Sequence, residues 1–143
     1  MNLLRNSIAV IVGLVLGGSV NMAIVMAGSS LIPPPAGVDP ADADSIAAAM
    51  HLYEAKHFIA PFLAHALGTL AGALAAFLIA ASYRATFAYG IGVAFLAGGI
   101  TAATMIPAPA LFIAVDLVGA YLPMAWLAVR LGSGRSRRLR TAA

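Results

Sequence analysis

The stretch FIAPFLAHALGTLAGALAAFLIAA, from Phe58 to Ala81, decides the fold of this chain. The only ionisable side chain within it is that of His65. Because about 20 apolar helical residues cross the hydrocarbon core of a bilayer, we predict a membrane-spanning helix here. Alanine and glycine recur at every fourth position, which places small side chains on one helical face. This ladder consists of Ala60, Ala64, Gly68, Gly72, Ala76 and Ala80.

The composition of the whole chain excludes a soluble globular protein. Its 143 residues are 62% hydrophobic and only 9% charged, with a mean hydropathy of +0.98. Soluble domains need about a quarter of charged residues to cover their surface. The chain has no cysteine, so disulfides, thiolate metal sites and a cysteine nucleophile are also excluded.

Three further apolar runs are long enough to cross a bilayer. With the first stretch they predict spans at about residues 7–32, 58–81, 87–106 and 110–131. The predicted fold class is therefore an all-α polytopic membrane protein with four transmembrane helices in a single domain, residues 1–143. The run at 7–32 exceeds the 7–15 apolar residues of a secretory signal, so we expect a retained span, with cleavage as the alternative.

The distribution of charge predicts the orientation of these spans. Arg5 precedes the first span, Arg84 follows the second, and Arg130 is followed by a basic tail at 132–143. The opposite side carries four acidic residues and one lysine. Basic residues favour the cytoplasmic side, so both termini are predicted to be cytoplasmic. We interpret the basic tail as an orientation signal and expect no nucleic-acid partner.

The connection between the first two spans predicts a helix on the outer surface. PPPAGVDP at 33–40 cannot be helical, because successive prolines remove backbone donors. Asp39 is a suitable N-cap with Pro40 at the first helical position. An apolar face at spacings of four, three and four then predicts an amphipathic helix over about 40–57, acting as a lid or a lipid-interface element. That face comprises Ile46, Met50, Tyr53 and His57.

A polar layer is predicted below this lid. The lid residues His51, Glu54 and His57 share a helical stripe with His65, and Pro61 is expected to bend the chain between them. His65 and Asp116 should both lie about 10 Å below the outer end of their spans, and we expect them to touch. Ionisable groups at such depth face the interior or a cavity. Four further side chains complete the predicted pocket: Ser19, Asn21, Thr101 and Thr104.

Small residues in the other spans predict close helix packing. Gly13 and Gly17 in the first span repeat the ladder of Gly68 and Gly72, and Gly98 continues a similar series in the third span. Such series let helix backbones approach closely in lipid. Besides the lipid bilayer, the predicted partners are further copies of the chain or another membrane protein.

Metal binding is an alternative interpretation of the lid. His51, Glu54 and His57 offer imidazole and carboxylate groups at three-residue spacing, a donor set that suits zinc or iron. That spacing spreads the three groups around a helix, and nothing in the sequence identifies a particular cofactor. A metal- or cofactor-binding membrane subunit therefore stays open as a hypothesis.

Three segments carry a resemblance. SLIPPPAGVDP, KHFIAPFLAHALGTLAGALAA and PMAWLAVRLG resemble small bacterial inner-membrane proteins with four spans. The resemblance covers most of the chain and implies the four-span fold and an inner-membrane location. It implies no activity.

Three functions are compatible with these observations. The first is a small transporter or channel-like subunit whose polar pocket, open to the outer side, takes a proton, an ion or a small polar solute. The second is the metal- or cofactor-binding subunit. The third is an accessory or assembly protein that binds a partner through small-residue faces. An enzyme is less expected, because no nucleophile with a neighbouring base and no phosphate loop can be identified.

Overall fold

A computed structural model describes residues 2–141 of the chain, with side chains described for residues 2–134. These residues contain no strand, and four helical segments are long and apolar enough to cross a membrane, which confirms that part of the fold prediction. The arginine side chains predicted for the tail beyond residue 134 lie outside this description. The helices are α1 (Asn2–Leu31), α2 (Ala43–Ala48), α3 (Ile59–Ile79), α4 (Arg84–Met105), α5 (Ala110–Gly119) and α6 (Leu122–Thr141).

The long helices run alternately up and down, with α3 at the centre. α3 packs against α1, α4 and α6. The short α3–α4 turn at residues 80–83 lies at the same end as the start of α1 and the end of α6, and we name this the turn end. The opposite end carries the α4–α5 loop and the connection at residues 33–58, named here the lid segment, so we name it the lid end.

Helices α1 and α3 meet through glycine. A Cβ atom on Gly72 would lie 2.5 Å from the carbonyl oxygen of Gly13, and one on Gly68 would lie 2.8 Å from that of Gly17. At these four positions the two backbones are therefore in contact, as the spacing of small residues predicted. The buried residues of α1 are all alanine or glycine, and most of its large apolar side chains are exposed, whereas the partly buried Val10 packs against the hydrophobic core.

Helix α4 packs through a different face from the predicted one. A Cβ atom on Gly98 or Gly90 would meet no atom within 4 Å, so the prediction that Gly98 is a packing residue is wrong within this chain. Gly92 and Gly99 are buried instead, against α6 and Tyr121. Since α4 is apolar all round, the spacing of its small residues could not identify the packed face.

The fourth span is not one continuous helix. α5 ends at Gly119 and α6 begins at Leu122. Pro123 lacks an N–H group, so it cannot bond the carbonyl of Gly119, and the helical ladder is interrupted there. The break turns Tyr121 into the bundle, where it is buried. The span predicted at about residues 110–131 is present as the candidate membrane-spanning segment Ala110–Gly134, which contains this break.

The lid segment is less regular than predicted. In place of one helix over 40–57 it contains α2 and two short 3-10 turns, Met50–Leu52 and Ala55–Phe58. Asp42, rather than Asp39, caps α2 by accepting from the N–H of Asp44 at 3.0 Å. Extended backbone at Tyr53 and Glu54 separates the two turns. The chain turns its corner there, and Pro61 falls in the first turn of α3, where no N–H is needed.

Two arginines satisfy the carbonyl groups at the end of α3. Arg84 donates from Nε to the carbonyl of Phe77 at 2.8 Å and from Nη2 to that of Leu78 at 2.9 Å. Arg5, on α1, donates to the carbonyl of Ile79 at 2.6 Å. The last carbonyls of a helix have no partner within the helix, so these bonds complete its C-terminus.

Asn6 closes the α3–α4 turn from the side of α1. Its Oδ1 accepts from the N–H of Ala81 at 2.8 Å, and its Nδ2 donates to the hydroxyl of Ser82 at 3.0 Å. The turn then reverses at Tyr83, which has a left-handed φ of 49°. The polar groups of α1 at this end are thus used to hold another part of the backbone.

Candidate functional site

A cavity of about 220 Å³ opens at the lid end, between α1, α3, α4, α5 and the lid segment. Its walls are mainly apolar, and all four residues of the predicted lid face contribute to them. The polar side chains that line it are Ser29, Tyr53, His57, His65 and Asp116. Apolar walls with a few placed polar groups are typical of small-molecule sites. Among its apolar lining residues are Val25, Ile32, Ile46, Met50, Phe58, Phe112 and Ile113.

His65 and Asp116 form an ion-pair contact at the floor of this cavity. Nδ1 of His65, on α3, lies 2.9 Å from both carboxylate oxygens of Asp116, on α5. The predicted contact is therefore present. Asp116 is only 4% exposed, whereas His65 is partly accessible. Because Nδ1 is taken by the carboxylate, Nε2 is the ring nitrogen that can face a ligand.

Tyr121 extends the pair, and sequence reasoning missed it. Its hydroxyl donates to Oδ2 of Asp116 at 3.0 Å, and its ring centroid lies 5.7 Å from that of His65. Gly99 makes room for it, since a Cβ atom there would lie 2.6 Å from Cζ of Tyr121. The available signal was a tyrosine within a span, two residues before Pro123 and five after Asp116.

Asp116 is fully hydrogen-bonded, which fixes the orientation of the group. Oδ1 is bonded by His65, and Oδ2 by both His65 and Tyr121. The hydroxyl of Thr69 donates to the backbone carbonyl of His65 at 2.7 Å, one turn earlier on α3. A buried carboxylate is tolerated when it is paired in this way. The arrangement can bind or release a proton, and it can compensate a positive ligand.

A second cavity, of about 170 Å³, lies between α1 and α4. Asn21, a predicted pocket residue, lines it together with Thr69 and Tyr121. Gly98 also lines it, which explains the open space beside that glycine. His65 lines both cavities. The structure therefore brings His65, Asp116 and Asn21 into one region, with Asn21 on the side of the second cavity.

The other predicted pocket residues are not part of this region. Ser19, Thr101 and Thr104 are exposed on the outside of the bundle. The hydroxyl of Thr101 donates to the carbonyl of Ala97 at 2.9 Å, and that of Thr104 to the carbonyl of Thr101 at 2.7 Å. Counting residues from the end of a span gives the depth of a side chain but not the face on which it lies, so their assignment to the pocket was wrong.

Of the two predicted lid histidines, His57 bonds the local backbone. Nδ1 of His57 accepts from the N–H of Glu54 at 2.9 Å, and the N–H of His57 donates to the carbonyl of Glu54 at 3.0 Å. His51 is exposed. Among the described side chains no group of three His, Asp or Glu residues could hold a metal ion, so the structure does not support a site at His51, Glu54 and His57. Burial raises the pKa of the Tyr53 phenol above its ordinary value.

Comparisons with protein-family models, curated proteins and solved structures find no match to this chain. The resemblance to small four-span inner-membrane proteins consequently stays a hypothesis. What the described residues do define is a helical bundle with four helices of spanning length, which suggests a multi-pass membrane protein.

Proposed function

We propose that this chain is a small membrane transporter, or a transporter subunit, that binds a small and mostly apolar molecule in the lid-end cavity. The observation that carries the proposal is the His65–Asp116 pair at the floor of an apolar cavity. Ionisable residues inside membrane bundles are rare, and they mark the paths of substrates and protons. The pair supplies the polar contact, and the walls supply the apolar surface.

The solute class differs from the one that the sequence favours. With Ser19, Thr101 and Thr104 outside the bundle, the polar layer is reduced to His65, Asp116 and the more distant Asn21. A free ion or a small polar solute would make no favourable contact with most of the cavity wall, because that wall is apolar. An apolar body that carries one polar group matches both parts of the cavity.

Movement through the bundle is supported by the second cavity. His65 lines both cavities, so one side chain can contact a molecule on either side of it. Gly99 also lines both cavities and adds no side chain beside the imidazole. Alternating access requires such a site to be reached in turn from each side of the membrane.

We further propose that the protein resides in a bacterial inner membrane with the turn end in the cytoplasm. Arg5, Arg84 and Arg130 all belong to the turn end, as the positive-inside rule requires of a cytoplasmic face. The guanidinium of Arg130 lies 4.7 Å above the ring of Trp126, a pairing suited to the membrane interface. The cavity would then open away from the cytoplasm.

A reporter fusion tests this orientation. A reporter that is active only outside the cytoplasm should work when inserted between Gly37 and Asp44, and it should be silent when fused after Ala143. The reverse pattern would place the cavity on the cytoplasmic side.

Ligand binding is tested with the protein in lipid nanodiscs and 2-phenylethanol as the probe, with empty nanodiscs to correct for partitioning. Ala103 lines the cavity, so Ala103→Phe should fill it and abolish binding. Ala97 lies on the exposed side of the same helix, so Ala97→Phe is a matched control that should bind like the unaltered protein. No binding above empty nanodiscs, or equal binding by both variants, would refute the proposed site.

The accessory-protein alternative depends on the outward face of α4. Gly90 and Ala94 are exposed there, and a Cβ atom on Gly90 would meet no other atom within 4 Å. Because the chain has no cysteine, Ala94→Cys would be its only thiol. Oxidative cross-linking of two copies in membranes, with Ala23→Cys on the exposed side of α1 as control, would favour association through α4. Equal cross-linking at both positions would count against it.

A further inference from the structure

We propose that the ligand of the lid-end cavity is an organic cation, and that its binding displaces one proton from the His65–Asp116 pair. The inference rests on the proposed function, since it names the chemical class for the same site. It follows from the charges around the cavity, from the pairing of Asp116 and from the aromatic side chains of the wall.

The first step is the charge inventory of the cavity. Among the described lining residues, Asp116 is the only carboxylate, and neither lysine nor arginine is present. The other titratable groups of its lining are His65 from α3, with Tyr53 and His57 in the lid segment, and Tyr121 from the break between α5 and α6 donates to Asp116. Helices α1 and α4 contribute only groups that do not titrate. These are Val25, Gly28, Ser29, Gly99, Ala102 and Ala103.

The second step is the proton. An uncompensated charge inside a membrane helix bundle is costly, so such groups are paired there. Without a fixed cation nearby, Asp116 can lose its charge or have it compensated only through a proton that it shares with His65, 2.9 Å away. A positively charged ligand supplies the same compensation. Cation and proton are then alternative occupants of one site.

The exchange balances without any covalent change in the ligand. The site without ligand carries the imidazolium of His65 beside the carboxylate of Asp116. When the ligand cation enters, the N–H bond of the imidazolium breaks, the proton passes to water, and neutral imidazole remains. The net charge of the site is unchanged. In a transporter the same exchange links outward movement of the cation to inward movement of the proton.

The third step is the aromatic wall. The ring centroids of Phe58 and Phe112 lie 4.8 Å apart, and those of Tyr53 and Phe58 lie 6.1 Å apart. All three residues line the cavity. Phe112 precedes Asp116 by one helical turn, so both lie on the same face of α5. Aromatic faces attract quaternary ammonium groups, and the carboxylate adds the opposite charge.

The experiment compares two probes of the same shape. Phenyltrimethylammonium carries a fixed positive charge, whereas tert-butylbenzene is its neutral isostere. With the full chain in nanodiscs, we expect the Kd of the cation to fall by about tenfold for each unit of rising pH across the range in which the site holds its proton. A pH indicator in weak buffer should record about one proton released per bound cation. The isostere should release none and bind equally at each pH.

Two variants refine the comparison. Asp116→Asn should weaken binding of the cation to the level of its isostere and remove the pH dependence. Glu54→Gln, at an exposed carboxylate of the lid segment, should change neither the Kd of the cation nor its pH dependence. The measurements on the unaltered protein decide the question even if Asp116→Asn does not fold. Binding of the isostere alone, or of the cation without proton release, would overturn this inference and leave the proposed function standing. If neither probe binds above empty nanodiscs, the proposed function fails as well.

Discussion

The two ends of the bundle use polar side chains in opposite ways. At the turn end, Arg5, Asn6 and Arg84 bond the backbone of the α3–α4 turn. At the lid end, His65 and Asp116 bond each other beside open volume, and the lid segment above them is irregular. The comparison shows how one short chain combines a fixed end with an open one. Polar side chains that bond the backbone hold the helices together, whereas polar side chains that bond each other beside a cavity form a site.

The strongest test of the fixed part is Gly72→Leu. The added side chain must enter space occupied by the backbone of Gly13, 2.5 Å from a Cβ atom, so α1 should separate from α3. We expect loss of folded protein in mild detergent, measured by size-exclusion chromatography. Gly90→Leu on α4 is the control and should elute normally, because that glycine faces open space. Equal behaviour of both variants would mean that α1 and α3 do not meet in this register.

Closure of the turn end is tested by Asn6→Ala. The substitution leaves the N–H of Ala81 and the hydroxyl of Ser82 without their partner. Both groups are only partly buried, and a typical hydrogen bond contributes about 0.5–1.5 kcal/mol. The free energy of unfolding in detergent should fall by that amount. Ser30→Ala, which removes an exposed hydroxyl bonded within its own helix, should change it little. A loss no greater than that of Ser30→Ala would show that Asn6 does not close the turn.

At the lid end, a double-mutant cycle measures the pair directly. His65→Ala, Asp116→Ala and the double variant should give a coupling free energy of about 0.6 kcal/mol, the average for hydrogen bonds in membrane proteins, with about 1.7 as the upper limit. The measurement is the free energy of unfolding in the same detergent. Additive losses would mean that the two side chains do not interact and that the cavity has no polar floor.

The smallest effect is expected in the lid segment. The Lys56–Glu54 ion pair is 3.1 Å long, and both side chains are more than half exposed. Exposed ion pairs contribute about 0–1 kcal/mol, so Lys56→Ala should leave stability and probe binding nearly unchanged. Thermal unfolding at low and high salt measures this. A clear loss of probe binding would mean that the lid segment contributes more to the binding site than the exposure of this ion pair indicates.

Sequence alone located the four long helices and the contact between His65 and Asp116, because both follow from hydropathy and from depth along a span. It also identified Gly13, Gly17, Gly68 and Gly72 as packing residues, because glycine at every fourth position marks only one face, but it did not identify α1 and α3 as the two partners. It failed where a face had to be chosen on a uniformly apolar helix, as for Gly98 and Thr101 on α4. It also missed Tyr121, whose place depends on the helix break before Pro123, a tertiary feature that no periodicity records.

The alanine and glycine face of α1, which packs on α3, has a consequence for assembly in the proposed membrane. α1 is synthesised before α3, so it must reside in lipid for a time without the helix on which it packs. The buried part of its contact surface consists of alanine and glycine, which expose almost no side chain before α3 is present. Most of its leucine, isoleucine and valine residues are exposed and would already face the lipid tails. Insertion and docking are therefore separable events, and the second requires no rearrangement of the side chains that stabilised the first.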